Sequence, residues 1–118
     1  MLVNNAGHSI RRSIVDSLDR PDDAERMIKL NYLAAVRLIQ LVLPGMLAAG
    51  DGDVINVSSI GVQLGQPRFA AYTASKAALD AFTRAAGAEL RSSGISFTTI
   101  HMPLVRTPMI EPTPALTS

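Results

Sequence analysis

Along this chain, short runs of β-branched and apolar residues alternate with longer stretches in which apolar residues return every three or four positions. Leu2 and Val3, followed by Asn4-Asn5-Ala6-Gly7, read as the end of a short buried strand entering a tight loop, because Asn and Gly tolerate the positive φ that such turns need. Residues 8–20 read as polar loop with several arginines. A helix is predicted from about Pro21, with Asp22, Asp23 and Glu25 at its positive end. Met27, Leu30, Ala34, Leu38 and Leu41 form its expected apolar face, and it runs to the neighbourhood of Pro44-Gly45 or slightly beyond. Gly50-Asp51-Gly52 is a turn. Val54-Ile55-Asn56-Val57 suits a buried parallel strand, and a loop rich in Gly, Gln and Pro follows to about Arg68. Residues 70–91 carry the alanines of a second helix, which Ser92-Ser93-Gly94 closes, and Ile95–Ile100 is a third strand. Strand, helix, strand, helix, strand predicts an α/β fold with a parallel sheet and crossover helices.

Composition narrows the class. The 118 residues are 47% hydrophobic and 18% charged, with 11 Lys and Arg against 10 Asp and Glu, as in an ordinary globular protein of one domain at most. No basic footprint for nucleic acid or an anionic membrane stands out, so the expected partners are small molecules or further copies of the chain. The chain has no cysteine, which excludes a disulfide framework and thiolate metal sites and is compatible with a reducing cytoplasm. Its apolar stretches are expected to fall short of a bilayer span, and MLVNNAG lacks the charged start of a signal peptide, so a soluble cytoplasmic protein is the default. A strand that opens at residue 2 and a tail that ends in EPTPALTS suggest a piece of a larger fold.

The candidate chemistry lies around the second helix. Tyr72 and Lys76 are four residues apart and so share one helical face. An ammonium near a phenol favours phenolate, bringing the tyrosine toward proton exchange at neutral pH. Ser59 ends the preceding strand, where α/β sheets hold ligands, and its hydroxyl could bind a carbonyl oxygen while the tyrosine protonates it. Asn31 interrupts an apolar helical stretch and competes for backbone hydrogen bonds there. Each of these also has an ordinary reading: a surface Tyr/Lys pair, a Ser-Ser turn, a satisfied helix kink. Their combination with the NNAG loop favours chemistry.

NNAG, VINVSS and YTASK at its separation from Ser59 closely resemble the pattern of the short-chain dehydrogenase/reductase family, over Leu2 to Met109. The resemblance implies a Rossmann-like, three-layer α/β fold and a hydride transfer between NADP or NAD and a carbonyl or alcohol. By resemblance, Tyr72 is the catalytic acid/base, and Lys76 lowers its pKa and holds the nicotinamide ribose. Ser59 positions the substrate oxygen, and Asn31 completes the tetrad by holding a relay water. Asn5, Ala6 and Gly7 resemble the loop lining the adenosine side of the cofactor, and Tyr72 and Lys76 also count among its contacts. Ser58 is the alternative serine, at a separation from Tyr72 that fits less well. No metal site is expected.

Departures from the pattern matter as much. HMPLVRTPMI places Met102-Pro103 where the family has Pro-Gly, removing a donor and backbone freedom, although Val105 and Thr107 still carry over as nicotinamide contacts. With SSIGVQ, this stretch resembles the branch acting on long-chain acyl-CoA or fatty aldehydes. Arg11, Arg12, Arg68 and Arg106 could meet an anionic group such as a CoA phosphate, or simply be solvated. Gly61 and Gly65 lack the strand-turn-helix context of a dinucleotide fingerprint, so the N-terminal phosphate-binding half of the fold is expected to be missing. Residues 1–118 therefore read as a single partial catalytic domain, forming a homo-oligomer if complete. The rival reading is an inactive truncated fragment that only oligomerises or interacts, through alanines such as Ala77, Ala81, Ala85 and Ala88 that could equally pack in a core. A misread gene start is a third.

Overall fold

The computed structural model describes residues 1–4, 9–59 and 67–102. Its strands are β1 (Leu2–Asn4), β2 (Gly52–Ser59) and β3 (Ile95–Met102), and its principal helices are α1 (Asp22–Ala49) and α2 (Ala70–Leu90). The three strands form a parallel sheet in the order β1-β2-β3. Val54 pairs with Leu2 on one side and with Phe97 on the other, so these three side chains share a face. Ile39 and Met46 of α1 pack there on Val54 and Ile95, with Leu2, Phe82, Leu90 and Phe97 around them. Both helices thus cover the same face of the sheet. Val54 and Ile39 are buried, and each side chain removed from water stabilises the fold by about 1.5–3 kcal/mol.

Two glycines make the crossovers tight. Gly50 ends α1 in the left-handed region at φ 68°, and its N–H donates to the Leu47 carbonyl at 3.2 Å. Gly94 adopts φ 81° after the short 3-10 turn Arg91–Ser93. A Cβ on Gly94 would stand 2.1 Å from the Gly50 carbonyl oxygen, so the two turns can touch only with glycine there.

The strands are longer than the sequence pattern predicts. Helix α1 continues through Pro44 to Ala49, and β2 and β3 extend to Ser59 and Met102. The polar loop before α1 contains a 3-10 turn, Val15–Ser17.

The expected apolar face of α1 needs correction. Met27, Asn31, Ala35, Ile39 and Met46 face inward, whereas Leu30, Leu38 and Leu41 are exposed. The cause is local, because Ile28–Leu33 forms a π-helical turn in which the Ala34 N–H reaches the Lys29 carbonyl, five residues back. That wide turn resets which residues face inward, and apolar residues all round the helix hide the change from a periodicity count. Leu30 to Ala49 is interrupted by one charge, Arg37, and the helix Asp22–Ala49 has a window of mean hydropathy 1.6. The expectation that apolar stretches fall short of a span is therefore corrected: this helix is long and apolar enough to cross a membrane by length and composition alone. In the fold it instead lays Ile39 and Met46 on the sheet.

Candidate functional site

The site is assembled where α1 meets the first half of α2. Tyr72 is buried within a cluster with Met27 of α1 and Phe69, and Ile10 and Ala71 pack against it. The Phe69 and Tyr72 rings meet edge to face, with centroids 6.4 Å apart. One turn along α2, Lys76 is only 5% exposed. Burial lowers its pKa from the ordinary lysine value, because the charged ammonium loses water. No carboxylate among the described residues forms an ion pair with Lys76.

Asn31 lies in the π turn and is 1% exposed. Its Nδ2 donates to Ser75 Oγ at 3.1 Å and lies 3.6 Å from Met27 Sδ. Ser75 Oγ in turn donates to the Tyr72 carbonyl at 2.7 Å. A buried amide and a buried hydroxyl therefore tie the irregular turn of α1 to the turn of α2 that bears Tyr72 and Lys76. The two readings of Asn31, kink and site residue, meet here: it sits in the irregular turn and points at the candidate tetrad's helix.

Ser59 closes β2. Its side chain lies outside what the structure describes, as do Asn5, Ala6, Gly7, Val105, Thr107 and Arg106. The structure thus brings Asn31, Tyr72 and Lys76 together. Among the described residues the four alanines at 77, 81, 85 and 88 are exposed.

Several polar groups were not picked out from sequence. Ser75 looks like any helical serine, and its signal was its place three residues after Tyr72, on the same helical face. Asn4, the last residue of β1, donates through Nδ2 to Oδ1 of Asn56 within β2 at 2.9 Å, while Asn56 Nδ2 is buried without a hydrogen-bond partner among the described residues. Ser58 Oγ and His101 Nδ1 are likewise buried and unpartnered there, on residues paired in the β2–β3 register. Asn56 was visible as a break in a β-branched run. Orphaned buried polar atoms are costly, and strand C-termini are where α/β sheets bind ligands, so these atoms fit the polar edge of a cofactor or substrate. Among the described residues, no group of three or more His, Asp or Glu could hold a metal ion.

The sequence matches the model of the short chain dehydrogenase family over residues 1–116. It is 57% identical over 112 residues to a fatty acyl-CoA reductase of Acinetobacter baylyi, a match covering 95% of this chain and 38% of that protein. A fatty acyl-CoA reductase of Mycobacterium tuberculosis is 52% identical over 116 residues, covering 98% of this chain and 40% of the relative. The fold is similar to the crystal structure of a short chain dehydrogenase from Burkholderia cenocepacia in complex with NADP, with a TM-score of 0.84 and 28% identity, over 96% of this chain and 47% of that one. The chain therefore spans less than half the length of these relatives.

Proposed function

This chain belongs to the short chain dehydrogenase family, and from that premise we propose that it forms the proton-transfer part of an NAD(P)-dependent reductase acting on fatty acyl-CoA or fatty aldehyde carbonyls. The observation that carries this reading is the burial of Tyr72 and Lys76 on one face of α2, with Asn31 bound to the same turn through Ser75. An ammonium on the same helical face as a phenol favours the phenolate, which suits proton exchange. The acyl-CoA preference rests on the names of the similar reductases, and the choice of NADP on the similar dehydrogenase that holds it.

When bound, a nicotinamide supplies the hydride. Tyr72 would then give its hydroxyl proton to the carbonyl oxygen of an aldehyde, or take it back from an alcohol; with a thioester, the hemithioacetal so formed would release coenzyme A as the thiol, the hydroxyl proton passing to sulfur. Lys76 sustains the phenolate and meets the ribose, Ser59 holds the substrate oxygen, and Asn31 braces the turn on which the acid/base stands. Asn56, Ser58 and His101 add buried polar atoms without partners among the described residues. Among the described residues there is no glycine-rich strand-turn-helix to cradle a pyrophosphate, so that task falls outside them.

The exposed leucines of α1 and the exposed alanine face of α2 support association of copies, and also keep open the reading of an interaction segment without catalysis. Turnover separates these. In the complete natural protein, Tyr72→Phe should reduce NADPH-dependent reduction of a long-chain acyl-CoA and of the matching aldehyde by about 100-fold or more, while circular dichroism stays unchanged. Activity near wild type in that variant would end the mechanism.

A further inference from the structure

The cavity beside the start of α2 is unusually rich in guanidinium groups. About 720 Å³ in volume, it is lined by Arg11, Arg12, Arg20 and Arg68, with Asp16 and Asp19 as its carboxylates. Sequence separates Arg68 from the other three by some fifty residues, and the fold joins them: the Arg12 N–H donates to the Arg68 carbonyl at 2.7 Å. Arg12 already has a counterion, since its Nε stands 2.8 Å from Asp23 Oδ2. Arg11, Arg20 and Arg68 form no ion pair among the described residues, and Arg11 Nε is buried without a hydrogen-bond partner there. Arg68 is also the one described non-glycine residue with positive φ, at 70°. Gathering like charges on a strained turn costs stability, and a bound anion would offset that cost.

The walls are not only cationic. Val15 and Leu18 line the same cavity and are 75% and 79% exposed. A second cavity of about 540 Å³ shares Ser13 and Arg68 with the first and is otherwise walled by Ile14, Pro67, Ala70, Thr73 and Ala74. The two cavities together would suit an amphiphile with an anionic end and a neutral, partly apolar arm. Arg68 stands two residues before α2, and the second cavity opens along the first turns of that helix at Ala70, Thr73 and Ala74, so the arm would run beside the helix that bears Tyr72.

We propose that this cavity binds the phosphates of a coenzyme A thioester, with Arg11 and Arg68 as its anion ligands and the adjoining apolar cavity receiving the arm that leads to the thioester. Arginine suits the task because its planar fork donates two hydrogen bonds to one phosphate. This inference rests on the reductase reading and goes beyond it by saying how a thioester is told from a free aldehyde, which lacks phosphates.

The test uses the complete natural protein and the double variant Arg11→Gln/Arg68→Gln. The KM for a long-chain acyl-CoA should rise at least about tenfold, as expected for loss of a charge-assisted contact, while the KM values for the matching aldehyde and for NADPH stay within about twofold. An unchanged acyl-CoA KM overturns the proposal. A rise for NADPH instead assigns the cavity to the cofactor's phosphates and also overturns it. Should the double variant misfold, pyrophosphate decides with the unaltered protein: it should inhibit competitively against acyl-CoA and leave aldehyde reduction unaffected, and equal inhibition of both counts against the proposal. If neither substrate is turned over, the reductase reading has failed, and calorimetric titration of 3′,5′-ADP in saturating NADP then judges the cavity alone. Binding weakened at least about tenfold in the variant supports the site, and no binding to the unaltered protein removes it. Loss of binding to anionic phospholipid vesicles without loss of 3′,5′-ADP binding would mean a membrane contact and overturn the proposal.

Discussion

The link between Asn31 and Ser75 permits a quantitative test of how α1 and α2 hold the site. Ser75→Ala removes the hydroxyl that accepts from Asn31 Nδ2 at 3.1 Å and donates to the Tyr72 carbonyl at 2.7 Å. The Tyr72 carbonyl loses little, because it remains in the hydrogen-bond ladder of α2. The amide N–H of Asn31 loses more: both residues are buried, at 1% and 0% exposure, so water cannot replace the hydroxyl. Removing one partner and stranding a buried donor costs about 1–3 kcal/mol, so the single variant should lose about that much. Asn31→Leu keeps the volume and leaves the Ser75 hydroxyl its bond to Tyr72, so it strands less. Combining Asn31→Leu with Ser75→Ala leaves neither partner unsatisfied, and the double variant should be more stable than the sum of the two losses by about 1–2 kcal/mol. Urea denaturation of the complete natural protein, followed by circular dichroism for all four members of the cycle, measures this coupling. Additivity within about 0.5 kcal/mol would show that the contact does not bind the helices and would refute the account.

The two turn glycines should respond differently to alanine. Gly50→Ala meets only the left-handed strain of about 1–2 kcal/mol, since no atom lies within 4 Å of its Cβ, whereas Gly94→Ala adds a collision 2.1 Å from the Gly50 carbonyl oxygen and should cost clearly more. Equal melting shifts for both would contradict the close approach of the turns. Lys76 should leave a pH signature. Its folded pKa is lowered by burial, so between that value and the unfolded value near 10.5 the unfolded chain binds more protons and stability rises with pH. Lys76→Met should therefore melt above wild type at neutral pH, with an advantage that shrinks as pH rises toward 10.5, and an advantage constant over that range would remove the desolvation argument.

The order of elements was legible because each boundary has a local cause. Gly50 and Gly94 both adopt the positive φ that ends a helix, and the β-branched run around Val54 occupies the middle strand of the sheet. Tyr72 and Lys76 were legible for the same reason, since a four-residue spacing fixes a shared helical face without knowledge of the rest of the fold. Long-range features were not. Arg68 joins Arg11 and Arg12 only once the chain has returned from the sheet to the start of α2, and nothing in the spacing of those residues encodes it. Ser58 and His101 become neighbours through strand register, which a lone serine and a lone histidine do not announce.

The inward face of α1 failed for a more instructive reason. Met27, Asn31, Ala35 and Ile39 are spaced by four, and in a regular α-helix each such step overshoots a full turn by about 40°. Across those three steps the stripe would swing by about 120°, more than one packing face can absorb. The π turn over Ile28–Leu33 takes up part of that drift, letting Met27 meet Phe69 and Tyr72 while Ile39 reaches the sheet. Asn31 stands in this turn and anchors it to α2 through Ser75, so the residue that is poor for a helix is placed where the helix is not regular. The period of α1 and the placement of the Tyr72 turn are consequently one problem, and an asparagine in an apolar run is its only trace in the sequence.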